Sequence, residues 1–230
     1  MALSCSIAFA EDDIPLSMVS PYYLSIFGGV GFLEDSNVSL SPLSVGFSRD
    51  GDHIEFDNGS IVGGALGWKF APGWRAEAEL AFRRNSVSAY FEGTFSPPVS
   101  NGAQSGDAIS AFSIMANAFR DIEVTENISL HVGGGIGMAL LELNLANTDY
   151  QFGSVSAPVN DTIWSLASQL GAGIDWKLGN GWVAFVDYRA FAARDTTFSG
   201  THSSSGRSFN FDMDYFHQAV IFGIKLPLGG

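Results

Sequence analysis

Ten ionisable side chains recur at even spacing along apolar segments of this chain: Lys69, Arg75, Glu77, Glu79, Arg83, Asp175, Lys177, Asp187, Arg189 and Lys225. Side chains two residues apart share a face of a strand, so each local set forms one charged row. Both signs are present, which makes near-neutral pairing feasible. Buried charges must be paired to avoid a heavy desolvation cost. Such a row can form a salt-bridged core or line a narrow ion path.

Three other constellations could do chemistry. His202-Ser203-Ser204 offers a His and a Ser one residue apart, with Asp212 or Asp214 to orient the imidazole, as nucleophilic catalysis requires. It falls in a Gly/Ser-rich stretch, and such chemistry depends on rigid positioning, so a solvated loop is the expectation and no catalytic residue is assigned. Glu34, Asp35, Asp50, Asp52, Glu55 and Asp57 stand against Arg49 alone, and Asp50-Gly51-Asp52 could offer oxygen ligands to a divalent cation. Most charge clusters are merely solvated, so no metal site is assigned. Gly133-Gly134-Gly135-Ile136-Gly137 lacks the following helix that a phosphate loop needs. Inside a strand these glycines would permit curvature or make room for bulky side chains. No cofactor motif is present. Cys5 is the single cysteine, so no internal disulfide can form.

The elements that must position the charged rows read as strands. Apolar residues make up 46% of the 230 and charged residues 15%, against about 25% charged in soluble domains. No run approaches the ~20 apolar residues of a spanning helix. Eight period-two segments stand out: Tyr22–Leu33, Ser60–Phe70, Trp74–Ser88, Ala108–Arg120, Asn127–Leu143, Thr162–Leu178, Gly181–Arg194 and Asp214–Leu228. Most exceed the ~5–6 residues of an average globular strand and suit a bilayer. Short connections at Ala71-Pro72-Gly73, Asp121–Glu126 and Gly179-Asn180-Gly181 alternate with long polar ones at Glu34–Gly59, Phe91–Asp107, Asn144–Asp161 and Asp195–Asp212. This alternation matches membrane barrels, with short turns at one end and long loops at the other. The expected fold is all-β, an eight-stranded antiparallel up-and-down transmembrane barrel.

The faces agree. Trp74, Ala76, Ala78, Leu80 and Phe82 alternate with Arg75, Glu77, Glu79, Ala81 and Arg83. Trp164 and Trp176 share one apolar face twelve residues apart, roughly 30 Å along the normal at ~3.3 Å per residue and ~40° tilt. Trp68, Trp74 and Trp182 flank the short turns. The five tryptophans are expected at the two membrane interfaces, four at the turn rim and Trp164 at the other. Trp68-Lys69-Phe70-Ala71-Pro72-Gly73-Trp74 is echoed by Trp176-Lys177-Leu178-Gly179-Asn180-Gly181-Trp182, so the two turns should be equivalent. The lumen of eight strands is just wide enough for side chains to fill, which favours a salt-bridged plug over an ion path.

Residues 1–10, MALSCSIAFA, read as the remnant of a secretory signal ending in an A-x-A pattern, and residues 11–20 as a polar segment before a barrel domain of residues 21–228. The net charge of −13 argues against a nucleic-acid partner.

At Gly63-Gly64-Ala65-Leu66-Gly67-Trp68 and Gly73-Trp74-Arg75-Ala76-Glu77-Ala78-Glu79-Leu80-Ala81-Phe82-Arg83, the chain resembles the bacterial outer-membrane β-barrel family. That family is the OmpA-like, opacity-like, porin-annotated group of surface antigens. Tyr22–Leu33 looks like its first strand and Asp187-Tyr188-Arg189 like its seventh. The resemblance implies a small monomeric, non-enzymatic surface barrel of the cell outer membrane. Its partners would be outer-membrane lipid and lipopolysaccharide, the barrel-assembly machinery, and a host or surface ligand at the loops. The alternatives are a narrow porin-like ion channel and a lipid A-modifying enzyme, the latter using the His202 constellation. The family usually ends in an aromatic residue read by the assembly machinery, whereas this chain ends Pro227-Leu228-Gly229-Gly230.

Overall fold

The computed structural model describes residues 20–229 except 38, 42–52, 93–98, 103–105, 146–148, 151–154, 157–158, 202–205 and 207. Residues 1–10, the polar segment before the barrel except residue 20, and the Asp50-Gly51-Asp52 and His202-Ser203-Ser204 constellations lie outside the described residues.

Eight long strands form the body: β1 (Tyr22–Leu33), β2 (Gly59–Ala71), β3 (Trp74–Glu92), β4 (Ala108–Glu123), β5 (Ile128–Leu145), β6 (Val159–Gly179), β7 (Trp182–Ala193) and β8 (Tyr215–Pro227). Each pairs antiparallel with the next, and β8 pairs with β1 through Val30↔Val220, closing the sheet. Closure leaves no edge unpaired in the body. All eight strands fall where the apolar alternation placed them, with ends moved by a few residues.

Three short turns join the strands at one end. Between β6 and β7, Asn180 and Gly181 both have positive φ, 51° and 77°. That is the two-residue hairpin geometry for which Asn-Gly is the preferred pair. Between β2 and β3, Gly73 takes φ 69°. A register shift precedes each of these two turns, between Lys69 and Ala71 and between Lys177 and Gly179, so the echoed sequences make matching bulged hairpins. In the third turn, the Thr125 hydroxyl accepts from the backbone N–H groups of Asn127 and Ile128 at 3.3 and 3.0 Å.

The glycine-rich run of β5 makes room for inward side chains. A Cβ on Gly133 would lie 2.7 Å from the Phe119 ring, and one on Gly135 would lie 2.0 Å from Asn117 Oδ1.

The four long connections lie at the opposite end and are partly structured, a correction to their reading as polar loops. His53–Phe56 pairs with the far end of β3 through Ile54↔Tyr90. Val99–Gly102 pairs with Ala89–Glu92, and Asp149–Tyr150 with Val155–Ser156. Thr197–Thr201 pairs with Ser208–Asp212, which carries Ser39–Ser41 along its other side. Single apolar residues scattered among the polar ones hold this end together. Ile54 and Phe198 join Leu33, Val87, Ile109, Leu141, Leu143, Leu145, Val159 and Met213 in one buried cluster.

The alternation therefore inverts along the barrel. Nearer the turns the outward face is apolar: Leu66, Leu80, Ile114, Ile136, Leu166, Leu170, Ile174 and Phe222 are all exposed, Ile136 at 73%. Nearer the long connections the outward positions become Ser60, Arg84, Glu142, Asn144, Asn160 and Thr162, while Leu141, Leu143, Leu145 and Val159 fill the interior. One strand, β5, shows both regimes. Val132, Ile136 and Met138 point out below, and Glu142 and Asn144 point out above.

Candidate functional site

The interior of the apolar-faced half is polar. Its inward positions are the odd-numbered residues of the eight strands, opposite in parity to the exposed leucines and tryptophans, as strand geometry requires. Arg75, Glu77, Glu79, Arg83, Asp175, Asp187, Arg189 and Lys225 are all buried. They comprise four cations and four carboxylates.

Near the turns, Arg75 organises one cluster. Its Nε lies 3.3 Å from Glu77, and its Nη1 donates to Asp121 at 2.5 Å and to Asp175 at 3.1 Å. Its guanidinium sits 4.8 Å from the centre of the Phe119 ring. The Tyr23 hydroxyl donates to Glu77 at 2.5 Å. Lys225 donates to both oxygens of Asp175 at 2.7 Å and lies over the Phe185 ring.

Deeper in, Glu79 is the hub. It accepts from Arg189, from Asn117 at 3.0 Å and from Gln169 at 3.2 Å. Arg189 also donates to Asp187 at 3.1 Å. Arg83 donates to Ser113 at 2.7 Å and stacks 4.0 Å above Phe191. His131 links the two clusters, with Nδ1 3.2 Å from Asp175 and Nε2 2.8 Å from Asp187. Neither contact has the alignment of a hydrogen bond.

Asp121, His131 and Asp175 bring oxygen and nitrogen atoms within 4.8 Å of one another, close enough to resemble a metal site. Arg75 and Lys225 already occupy those carboxylates. Cations built into the chain thus stand where an ion's charge would be.

Lys69 and Lys177 differ from the other charged positions. Both are exposed at the turn end, and Lys177 pairs with Glu123 at 3.0 Å, with both side chains solvated. They are the last inward positions before each bulged turn, so they lie at the mouth rather than in the packed lumen. This corrects their assignment to a buried row. The eight members of the row that remain buried are four cations and four carboxylates. A cavity of about 220 Å³ opens at that mouth, lined in part by Lys69, Arg75, Asp121, Asp175, Lys177 and Lys225.

The charge rows did not reveal Tyr23, Asn117, His131 or His217, all buried in the lumen, whereas Gln169 shares the odd-numbered row of Asp175 and is buried there. Their inward parity was the available signal. They carry no permanent charge, so they do not stand out as members of a charged row. Trp68, Trp74, Trp164, Trp176 and Trp182 all face outward, between 44% and 60% exposed. Trp164 lies towards the long connections and the other four beside the turns. Arg120 lies 5.4 Å from the Trp74 ring centre and donates to the Pro72 carbonyl at 2.7 Å. Asp212 and Asp214 fall at the far end, where the Asp214 backbone N–H donates to Ser36 Oγ at 2.8 Å.

No protein-family model matches the sequence, and no curated protein matches it at a significant level. Solved structures do match the fold. Neisserial surface protein A aligns with a TM-score of 0.51 at 12% identity, covering 91% of this chain and 98% of its own. The outer membrane protease OmpT from Escherichia coli aligns with a TM-score of 0.53 at 9% identity, covering 97% and 99%. At such identities the likeness speaks for the fold alone: this chain is built as an outer-membrane β-barrel is built.

Proposed function

We propose that this protein is a monomeric, non-enzymatic barrel of the bacterial outer membrane that presents its four long connections outside the cell. The observation that carries this reading is the apolar outward band around a charged interior. On β6 alone, Trp164, Leu166, Leu170, Ile174 and Trp176 are each more than half exposed. Contiguous apolar surface on this scale is not left in water by a monomeric soluble protein. Bilayer-spanning structures without helices are closed barrels, whose backbone groups pair internally. Long polar connections at one end then face the exterior, with short turns in the periplasm.

The interior favours a plug over a pore. The charged half is crossed by ion pairs and hydrogen bonds from Arg75, Arg189 and Lys225, and the far half is filled by the Leu141, Leu143, Val87 and Phe198 cluster. An ion path would have to cross that apolar packing. The surface role then belongs to the connections, raised above the apolar band by strands with a soluble-type core. Contact with lipopolysaccharide, a host or another surface ligand would be made there, and the barrel-assembly machinery would insert the chain.

Refolding into detergent micelles and planar bilayers tests this reading. The expected outcome is a heat-modifiable, β-rich monomer that gives no step conductance. A monodisperse folded species in plain buffer would remove the membrane reading, and regular conductance steps would replace the plug with the channel alternative.

A further inference from the structure

The outward apolar band is not level. Its limit towards the long connections follows one cross-strand row, Val62, Phe82, Phe112, Leu140 and Trp164 on β2 to β6, paired in that order. The next row is Ser60, Arg84, Ser110, Glu142 and Thr162, paired in the same way and exposed except for Ser110. Apolar surface therefore gives way to polar within one step on each of these neighbouring strands.

Such a row climbs around the barrel. Followed from pair to pair through the closed sheet, the row that starts at Tyr22 returns to β1 at Phe32, ten residues nearer the long connections. At ~3.3 Å per residue and ~40° tilt it rises about 3 Å per strand, or about 12 Å from β2 to β6, which lie on opposite sides of an eight-stranded barrel. The turn rim does not climb: Tyr22, Trp74 and Trp176 fall within about 2 Å of one level on the same reckoning. The apolar span is thus about 20 Å on β2, from Phe70 to Val62, and about 30 Å on β6, from Trp176 to Trp164. On β7, β8 and β1 the first outward polar residues, Arg194, Gln218 and Glu34, bring the limit down again.

Tilting the barrel cannot reconcile apolar spans of unequal length on its two sides. A bilayer meets a short span by thinning against it, or long side chains reach out to the interface. Arg84 can reach in that way, but Ser60 cannot. We propose that the barrel holds an uneven bilayer around itself, drawn in on the long-connection side against β2 and β3 and at full height against β5 and β6. Lipid headgroups then descend to Ser60 and Arg84, where the exposed guanidinium meets their phosphates. This shape presupposes the membrane reading above and adds to it the form of the lipid surface that the barrel fits.

Depth-dependent fluorescence quenching tests the proposal. Ser60 on β2 and Leu166 on β6 stand within about 3 Å of the same height above the turn rim, on opposite sides of the barrel. Phe70 and Trp176 form a matching pair at the rim itself. Each is replaced singly by cysteine in a Cys5→Ser background, labelled with bimane and refolded into dioleoylphosphatidylcholine vesicles that carry a nitroxide either on the headgroup or at mid-chain. The headgroup nitroxide should quench the Ser60→Cys label at least twofold more than the mid-chain one. The order should reverse by a similar factor at Leu166→Cys, while Phe70→Cys and Trp176→Cys report one common depth. Equal depths at Ser60→Cys and Leu166→Cys would overturn the uneven bilayer in favour of a flat one. A depth difference of the same size and sense at both pairs would also overturn it, since that is a tilted barrel in a flat bilayer. Lack of quenching at all four sites would instead remove the membrane reading, and the uneven bilayer with it.

Discussion

His131 on β5 reaches Asp187 on β7 across the intervening strand, with Nε2 2.8 Å from Oδ1. Gly173 of β6 makes this possible. A Cβ there would lie 2.2 Å from Asp187 Oδ1 and 2.8 Å from His131 Cε1. The contact joins the Arg75–Asp175–Lys225 cluster to the Glu79–Arg189 cluster, so one missing side chain permits a continuous network.

Gly173→Ala should therefore act as an overpacking substitution at a polar site. Its expected cost is about 1–3 kcal/mol in a detergent-based urea titration. The Val186 carbonyl 2.5 Å from the new Cβ cannot swing aside as a side chain can. In a His131→Ala background the cost should shrink, because the imidazole no longer competes for the space. An undiminished cost would mean that Gly173 serves the backbone approach alone.

The network separates into buried and mouth positions, and substitutions should follow that division. Arg75→Ala removes the cation that Glu77, Asp121 and Asp175 share, leaving Glu77 the hydrogen bond from the Tyr23 hydroxyl and Asp175 those from Lys225, and breaking a buried pair typically costs about 3–5 kcal/mol. Lys69→Ala removes an exposed charge at the mouth and should leave the unfolding midpoint unchanged. Equal effects from the two would contradict the placement of Lys69 outside the packed lumen.

Strand positions, face parity and the three tight turns were legible because each depends on local sequence: period-two alternation, Asn180-Gly181 and Pro72-Gly73. The core of the charged row was legible for the same reason, as Arg75, Glu77, Glu79 and Arg83 alternate with bulky apolar residues. Burial at the ends of the row was not, because nothing local distinguishes Lys177, at the mouth, from Lys225, which reaches Asp175 across the lumen. The neutral members His131 and His217 carry no permanent charge and stand between Leu130 and Val132 and between Phe216 and Gln218, so no charged row marks them. The apolar cap was hidden most completely. Phe198 and Ile54 look like isolated apolar residues in polar stretches, and only long-range pairing brings them together.

Phe198→Ala tests that cap. Phe198 is fully buried although it lies in a connection expected to be a solvated loop. Truncating a buried Phe costs about 3–5 kcal/mol. The substitution should lower the urea midpoint about as much as Arg75→Ala does. A negligible shift would show that the cap adds nothing to the stability of the barrel.

The account stands on the barrel crossing the outer membrane with its long connections outside. Single cysteines at Thr201 and Asn180, each in a Cys5→Ser background, place an exposed thiol at either end. A membrane-impermeant maleimide applied to intact cells should label Thr201→Cys. Asn180→Cys should stay silent until the outer membrane is permeabilised. Labelling of Asn180→Cys on intact cells, with Thr201→Cys silent, would contradict the account.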